Sequence, residues 1–439
     1  MKKKPNALVR WIMLAMLLGI AVGYGCHLLA PDAAAAKEIA RYFNVVTDIF
    51  LRMIKMVVAP LVFATLVAGI ASMGDARSVG RVGAKALGWF VSASLVSLAL
   101  GLVFVNLLQP GASLGLPLPD AHATTNLKTS ALNLSDFITQ VFPTSIAQAM
   151  STNAILQILV FSVFFGFAVA ALPRDATATT VRFIDELVAI MLKLTDFVMK
   201  FAPLGVFAAI ASVITTQGIG VLATYGKFIG GFYLGLAVLW LVMAIVGGLF
   251  LGRGPVLQLL RMLREPLLIA FSTASSESAY PKMMEQLRAF GVKDRITSFV
   301  LPLGYSFNLD GSMMYQAFAA IFVAQAFGIE MSLGTQITML LVLMVSSKGI
   351  AGVPRASLVV VAAVLPMFGL PEAGLLLILG IDQFLDMGRT ATNVIGNGIA
   401  TAVVAKWEGD LRPAGSADED EAEAAFEAGP PAAMQPQLG

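Results

Sequence analysis

Charge is what this sequence lacks. Asp, Glu, Lys and Arg make up 13% of the chain, where a soluble domain carries roughly 25%. That is too little to cover the apolar surface of 439 residues that are 58% hydrophobic. With a mean hydropathy of +0.83, the chain needs a bilayer as part of its solvent. A single cysteine, Cys26, excludes an intrachain disulfide and a cysteine-cluster metal site. Two histidines, His27 and His122, leave no histidine-based metal site. The net charge of +2 gives no footing for nucleic acid. Neither an activated nucleophile nor a metal cluster is legible, which argues against a membrane enzyme.

What is present is a series of apolar runs from Leu8 to Lys406. Met1-Lys2-Lys3-Lys4 ahead of the run Trp11–Leu29 has the look of a secretory signal, and Cys26 hints at a lipoprotein site. A run near 20 residues is long enough to span, so it is read as a first transmembrane helix. Further spans are predicted at about 45–73, 84–108, 150–172, 186–216 and 224–252. Basic residues at Lys2–Lys4 and Arg10, at Arg77, Arg81 and Lys85, at Arg174 and Arg182, and at Arg253, Arg261 and Arg264 predict cytoplasmic loops. Six crossings therefore return the chain to the cytoplasm near residue 253.

Beyond that point the pattern changes. Pro266–Phe271 is too short to span and runs into Ser272-Thr273-Ala274-Ser275-Ser276-Glu277-Ser278, with basic residues returning at Lys282, Arg288, Lys293 and Arg295. This predicts a hairpin, about 256–290, that enters and leaves on the cytoplasmic side. A seventh span, about 296–327, is broken at Asn308-Leu309-Asp310-Gly311-Ser312. A second hairpin, about 332–368, is broken at Ser346-Ser347-Lys348-Gly349-Ile350-Ala351-Gly352-Val353-Pro354 and enters from outside. A last span, about 373–406, follows. Opposed hairpins, each followed by a spanning helix, form an inverted repeat, and interrupted segments in corresponding halves point to a transporter's binding site. The tail from 409 to 439, with Asp418-Glu419-Asp420-Glu421 at its acidic core, has too few apolar residues to fold.

The last span carries Asp382, Asp386, Arg389, Thr390, Asn393 and Asn397. At about 100° per residue these six share an arc of roughly 100°. Ionisable groups at membrane depth are costly unless paired or facing water, so the stripe marks an interior polar path. A bland alternative is an Asp386–Arg389 salt bridge at i,i+3 that satisfies only itself; it leaves Asn393, Asn397 and the hairpin tips unexplained. In the functional reading, Arg389 offers its planar fork to a carboxylate. Asp386 suits an ammonium group. Asn393 and the peptide N–H groups of the hairpin tips suit a second carboxylate. Two carboxylates and an amine describe an acidic amino acid. Asn308 and Asp310, with unwound carbonyls, make a hard oxygen site for a small cation such as sodium; Asp310 alternatively takes a proton, and a capped structural kink is the bland reading. Lys348, Glu277 and Arg355 suit gate or interface charges as well as ligands.

These residues resemble those of the dicarboxylate/amino acid:cation symporters, the glutamate transporter family, across about residues 8–408. The motifs are Ser275-Ser276-Glu277-Ser278, Asn308-Leu309-Asp310-Gly311-Ser312, Lys348-Gly349-Ile350-Ala351-Gly352-Val353-Pro354, and Asp386-Met387-Gly388-Arg389-Thr390 through Asn393. The chain looks nearest to the bacterial proton/glutamate symporters. The resemblance implies an all-α polytopic protein with eight transmembrane helices and two re-entrant hairpins, forming a homotrimer in a bacterial inner membrane with both termini cytoplasmic. It implies a scaffold (helices within about 8–73 and 130–216) and a transport domain (about 84–108 and 224–408) that moves like an elevator. By the same resemblance Ser275, Ser276, Ser312, Gly352, Val353, Asp386, Arg389, Thr390 and Asn393 bind substrate. Gly304, Ser306, Asn308, Asp310, Ser94, Ser347, Ile350 and Asn397 serve the coupling cation, and no cofactor is implied.

Within that family, Asp386 favours an amino acid, since C4-dicarboxylate carriers typically lack an aspartate there. Ala274 before Ser-Ser-Glu-Ser looks more like the dicarboxylate branch; the stripe, being closer to the ligand, weighs more. Sodium-coupled members carry aspartate at the position of Asn397, and tyrosine and threonine at Phe90 and Ala93, so this chain leans to proton coupling. Gln316 stands where mammalian relatives place a proton-binding glutamate, which leaves Asp310 as the candidate carrier. A channel or receptor without coupled transport is the rival class, and hairpins from opposite sides suit alternating access better than a permanent pore.

Overall fold

The computed structural model describes residues 7–73, 76–112, 139, 141–218, 225–347, 356–379 and 381–412. Among these the chain is helical throughout, apart from an isolated antiparallel bridge between Val292 and Leu411. The helices are α1 (Ala7–Leu29), α2 (Ala33–Met73), α3 (Ala76–Leu108), α4 (Ile146–Ser151), α5 (Ile155–Ala171), α6 (Arg174–Met199), α7 (Ala202–Gln217) and α8 (Gly226–Leu251). They continue as α9 (Arg253–Met262), α10 (Arg264–Thr273), α11 (Ser276–Ala289), α12 (Asp294–Phe307), α13 (Asp310–Ala326), α14 (Leu333–Ser347), α15 (Ala356–Val364), α16 (Leu376–Leu379) and α17 (Asp382–Glu408).

Four of these are long and apolar enough to cross a membrane: Arg10–Leu29, Ala33–Ala71, Arg77–Leu108 and Gly226–Leu251. Their outer faces leave Trp11, Leu17, Val103, Leu107, Leu241 and Leu249 exposed, an apolar surface that a soluble protein could not carry. The second helix starts twelve residues before the predicted 45, because the Asp32 carboxylate accepts the Ala35 N–H at 2.7 Å and caps an alanine-rich first turn. The predicted span at 186–216 is two helices, α6 and α7, bent by 50°. Pro203 sits in the first turn of α7 and has no N–H to continue the α6 ladder.

The two re-entrant hairpins are α10–α11 and α14–α15. The first is tighter than the predicted 256–290, since α9 forms a separate helix ahead of it. Its tip turns at Ala274, a non-glycine residue in the left-handed region (φ 48°, ψ 35°). Each hairpin is followed by a broken span. The seventh is interrupted at Asn308–Leu309 between α12 and α13. The last does not run unbroken from 373: a 3-10 turn (Glu372–Leu375) and the short α16 precede α17. Both breaks place an aspartate, Asp310 or Asp382, at the first residue of the helix that follows, where the helix dipole favours a negative charge.

Two sets of helices can be followed through the contacts, with α12 packing on members of both. The first helix packs on α7, and α2 packs on α5, α6 and α7. In the second group α3 packs on α13, and α8, α10, α12 and α13 all pack on α17. The groups meet where α10 touches α1 and α7, where α11 and α3 touch α2, and where α12 touches α2 and α5. The last helix lies at the centre of its group, buried along almost its whole length from Leu385 to Ala405. Past its end the chain is clasped to the loop between the first hairpin and α12. Lys293 N–H donates to the Asp410 carbonyl at 3.1 Å and Arg412 N–H to the Gly291 carbonyl at 2.9 Å. The buried Asp410 carboxylate takes a bidentate pair from Arg295, both bonds 2.6 Å, and Lys293 Nζ at 2.9 Å.

Candidate functional site

The polar arc of α17 faces the first turn of α13. Arg389 Nε donates to Asp386 Oδ1 at 2.9 Å and Nη1 to Asp382 Oδ1 at 3.2 Å. Its guanidinium carbon lies 4.4 Å from the centre of the Tyr315 ring, and the Tyr315 hydroxyl donates to Asp382 Oδ1 at 2.8 Å. Two carboxylates, a ring face and a helix turn therefore fix the guanidinium in a buried position, which offsets its desolvation. The ion pair expected at i,i+3 is present, as one limb of this larger cluster. Burial separates its members: Asp382 is 1% exposed, Arg389 4% and Asp386 18%. Thr390 Oγ1 also donates to Asp386 Oδ1, at 3.0 Å, so both bonds to that carboxylate use one oxygen. Asp386 is the acidic group that opens toward solvent.

Asn393 is engaged differently. Its Oδ1 accepts the Gly311 N–H at 2.9 Å and its Nδ2 donates to Ser312 Oγ at 3.3 Å. The first N–H groups of α13 have no intrahelical partner, and Asn393 satisfies one of them from across the interface. Such an approach needs a glycine: a Cβ on Gly311 would overlap the Arg389 backbone. Gly396 allows a similar approach further along α17, where a Cβ would meet Asp310 Oδ2 and lie 3.3 Å from Asn308 Nδ2.

The predicted cation-coupling residues gather here. Asn308 Nδ2 donates to Asn397 Oδ1 at 3.2 Å, and both residues are buried with Asp310 and Ser306. Gly304 abuts the Asn397 amide and the ring of Phe90 on α3; Ser94, one turn further along α3, is buried. Among the described residues, Asn308 Oδ1 and Ser306 Oγ are buried oxygens without a hydrogen-bond donor. An all-oxygen set of this kind suits a small hard cation. The Oδ1 of Asn308 turns away from the bond to Asn397, so the amide pair does not use up the oxygen a cation would take. Ser347, at the end of α14, bonds the Met344 carbonyl at 2.7 Å and lies 3.9 Å from Met313 Sδ, beside the seventh-span break. Gly352, Val353 and Ile350, with Lys348 and Arg355, lie outside the described residues, as does the acidic tail beyond Arg412.

The tip of the first hairpin reaches the same turn of α17. Phe271 and Ala274 pack in one apolar cluster with Phe384 and Met387, against Ile210 and Ile214 of α7. Ser278 Oγ donates to the Ser275 carbonyl at 2.7 Å and lies 2.8 Å from Thr273 Oγ1, which ties the two arms together. Ser275 and Ser276 follow Ala274 at the start of α11. Tyr315 is a member of the site that the sequence motifs do not single out. The available signal was its place three residues after Ser312, about a helical turn along α13. Two further anchors, Tyr233 donating to the Phe384 carbonyl at 2.6 Å and Trp240 donating to Thr392 Oγ1 at 2.8 Å, hold α17 against α8.

A family model for the sodium:dicarboxylate symporter family matches residues 8–407. The chain belongs to that family. It is 40% identical over 419 residues to a proton/glutamate-aspartate symporter of Escherichia coli (strain K12), covering 93% of this chain and 94% of that one. It is also 40% identical over 407 residues to a proton/sodium-glutamate symport protein of Bacillus caldotenax, covering 91% and 94%. A C4-dicarboxylate transport protein of Solibacter usitatus (strain Ellin6076) is 40% identical over 437 residues, covering 98% of each. This member of the family is a membrane-embedded dicarboxylate/amino acid symporter, not an enzyme.

Proposed function

We propose that this symporter imports acidic amino acids, glutamate or aspartate, coupled to a cation that is a proton rather than sodium. The observation that carries the substrate reading is the cluster of Asp382, Asp386 and Arg389. Its formal charge is two negatives and one positive, a net of minus one. A dicarboxylate entering such a site meets an excess of negative charge. An acidic amino acid brings its own ammonium to Asp386, which releases Arg389 Nε toward the side-chain carboxylate. Ser275, Ser276, Ser312, Thr390 and Asn393, with Gly352 and Val353, would complete the polar contacts. The proton reading rests on Asn397 and Phe90, which supply neither carboxylate nor hydroxyl to the cluster around Gly304.

The opposing reading, a C4-dicarboxylate symporter, is favoured by Ala274 ahead of Ser275-Ser276-Glu277-Ser278. Equal identity to relatives of both kinds does not separate the two. Transport follows from one packing group, α3 with α8–α17, moving as a body past a scaffold of α1, α2 and α4–α7, in a homotrimer of the bacterial inner membrane with both termini cytoplasmic. The rival class, a ligand-binding channel or receptor without coupled transport, is disfavoured by hairpins from opposite sides, which suit alternating access. The test is uptake of labelled aspartate, glutamate and succinate into proteoliposomes under separately imposed sodium and proton gradients. Aspartate or glutamate uptake driven by a proton gradient is expected. Succinate uptake without aspartate uptake refutes the substrate, and uptake driven by sodium alone refutes the proton.

A further inference from the structure

The first hairpin carries an acidic residue that the cluster around Arg389 does not use. Glu277 is the second residue of α11, directly after Ser275 and Ser276, and its Oε2 lies 4.0 Å from Lys55 Nζ on α2. This pair joins the two packing groups. The other ion pairs of the hairpin and of the clasp stay inside one group: Lys282 with Glu265 at 3.2 Å and Glu285 at 2.7 Å, Arg288 with Asp294, Glu408 with Arg81 and Lys85, and Asp410 with Lys293 and Arg295.

Lys55 sits near the middle of a 41-residue helix, between Ile54 and Val57, both buried. A cation at that depth is costly unless it meets an opposite charge or water. It is half exposed, at 51%, and Glu277 is 25% exposed. At 4.0 Å, and with neither side chain enclosed, the two charges touch only loosely. That weakness suits a contact made and broken in each turnover, where a fully buried pair would trap one arrangement. The same hairpin packs apolar surface against α7 through Phe271 and Ala274, and apolar contacts of that kind are not directional.

We propose that Lys55 is a positioning residue which, through Glu277, holds the first hairpin tip against α2, and that this pair parts when the hairpin-bearing group moves. The inference rests on the transport reading above. Its test uses the full-length chain with Cys26→Ser, reconstituted in proteoliposomes. Lys55→Glu and Glu277→Lys each put like charges together, and each lowers the maximal rate of aspartate uptake by at least about fivefold. Because Lys55 does not touch substrate, Lys55→Glu leaves KM within about twofold of the parent. The exchange Lys55→Glu with Glu277→Lys restores the rate to within about threefold of the parent. Rescue shows that the pair, and not either charge alone, carries the effect. Single variants that are as well folded by size-exclusion chromatography as the parent separate positioning from a structural role, and an exchange variant no faster than the slower single variant overturns the proposal.

A second measurement does not depend on uptake. In Lys55→Cys with Glu277→Cys, a bifunctional methanethiosulfonate with a spacer about as long as the two replaced side chains adds once per chain by intact mass, since cysteines whose Cα atoms are more than about 7 Å apart cannot be bridged directly. Two linkers per chain, each attached at one end, refute the contact. If the parent takes up no acidic substrate at all, the functional reading falls, while the linker count still decides whether Lys55 and Glu277 meet.

Discussion

The Tyr315 hydroxyl donates a 2.8 Å hydrogen bond to Asp382 Oδ1 while the face of the same ring supports the Arg389 guanidinium. One side chain of α13 thereby sets both the anchor carboxylate and the cation on α17. The arrangement is a preorganised fork, and preorganisation is what lets a buried arginine bind without further ordering cost. Tyr315→Phe keeps the ring and removes the bond. Its KM for an acidic substrate should rise about tenfold, the value of a hydrogen bond to a charged group. An unchanged KM would show that the hydroxyl does not position the site.

Arg389 is held by bonds to two different carboxylates. A lysine has a point charge and no fork, so it cannot reproduce both. Arg389→Ala should abolish acidic-substrate uptake with the protein still folded by size-exclusion chromatography. Arg389→Lys should remain at least about a hundredfold below the parent in kcat/KM. Uptake by either variant at the parental rate refutes the assigned role.

Gly396 allows Asp310 and Asn308 to lie against the backbone of α17. A methyl there overpacks the interface, at a cost of about 1–3 kcal/mol. Gly396→Ala is therefore expected to lower the thermal midpoint in detergent and to weaken the dependence of uptake on the coupling ion. Gly230→Ala, where an added Cβ meets nothing within 4 Å, serves as the control and should change neither. Equal behaviour of the two variants would remove Gly396 from the cation cluster.

Asp410 lies past the last span, in the clasp with Arg295 and Lys293. Burial alone pushes its carboxyl up, but the hydrogen bonds and charges of Arg295 and Lys293 outweigh it and hold the group below the ordinary value of 3.8. A carboxyl depressed on folding stabilises the folded state above its unfolded value, about 3.9. That contribution is complete above roughly pH 5 and is lost as pH falls through the lower folded value. Asp410→Asn should lower the thermal midpoint at pH 7 and flatten its decline between pH 5 and pH 3. A variant whose midpoint falls with acid as steeply as the parent's would show that the clasp carries no such linkage.

Much of this architecture was legible in the residues. The scarcity of charge, the apolar runs and the broken segments predicted a helical membrane protein with two re-entrant hairpins, because those features are local and periodic. The bend after Met199 could have been read from Pro203, and the early start of α2 from Asp32 ahead of four alanines. Both signals were weak beside a continuous hydropathy profile. The polar arc of the last helix was legible too, since six residues on about 100° of one helix need only the helical repeat to be placed together.

The partners of that arc were not. Tyr315 and Asp382 are 67 residues apart, and Gly311 and Asn393 are 82 apart; no local pattern says that they meet. The sequence by itself determined which groups are polar at membrane depth and which face of α17 carries them, since backbone geometry sets those. Only the packing of α13 on α17 decided that the Tyr315 ring and hydroxyl brace Arg389 and Asp382, that Asn393 Oδ1 takes the Gly311 N–H, and that Asp386 is the least buried of the three charges. The physical reason is desolvation. A buried polar group takes whichever partner the tertiary contact brings within reach, and that contact is a property of the fold.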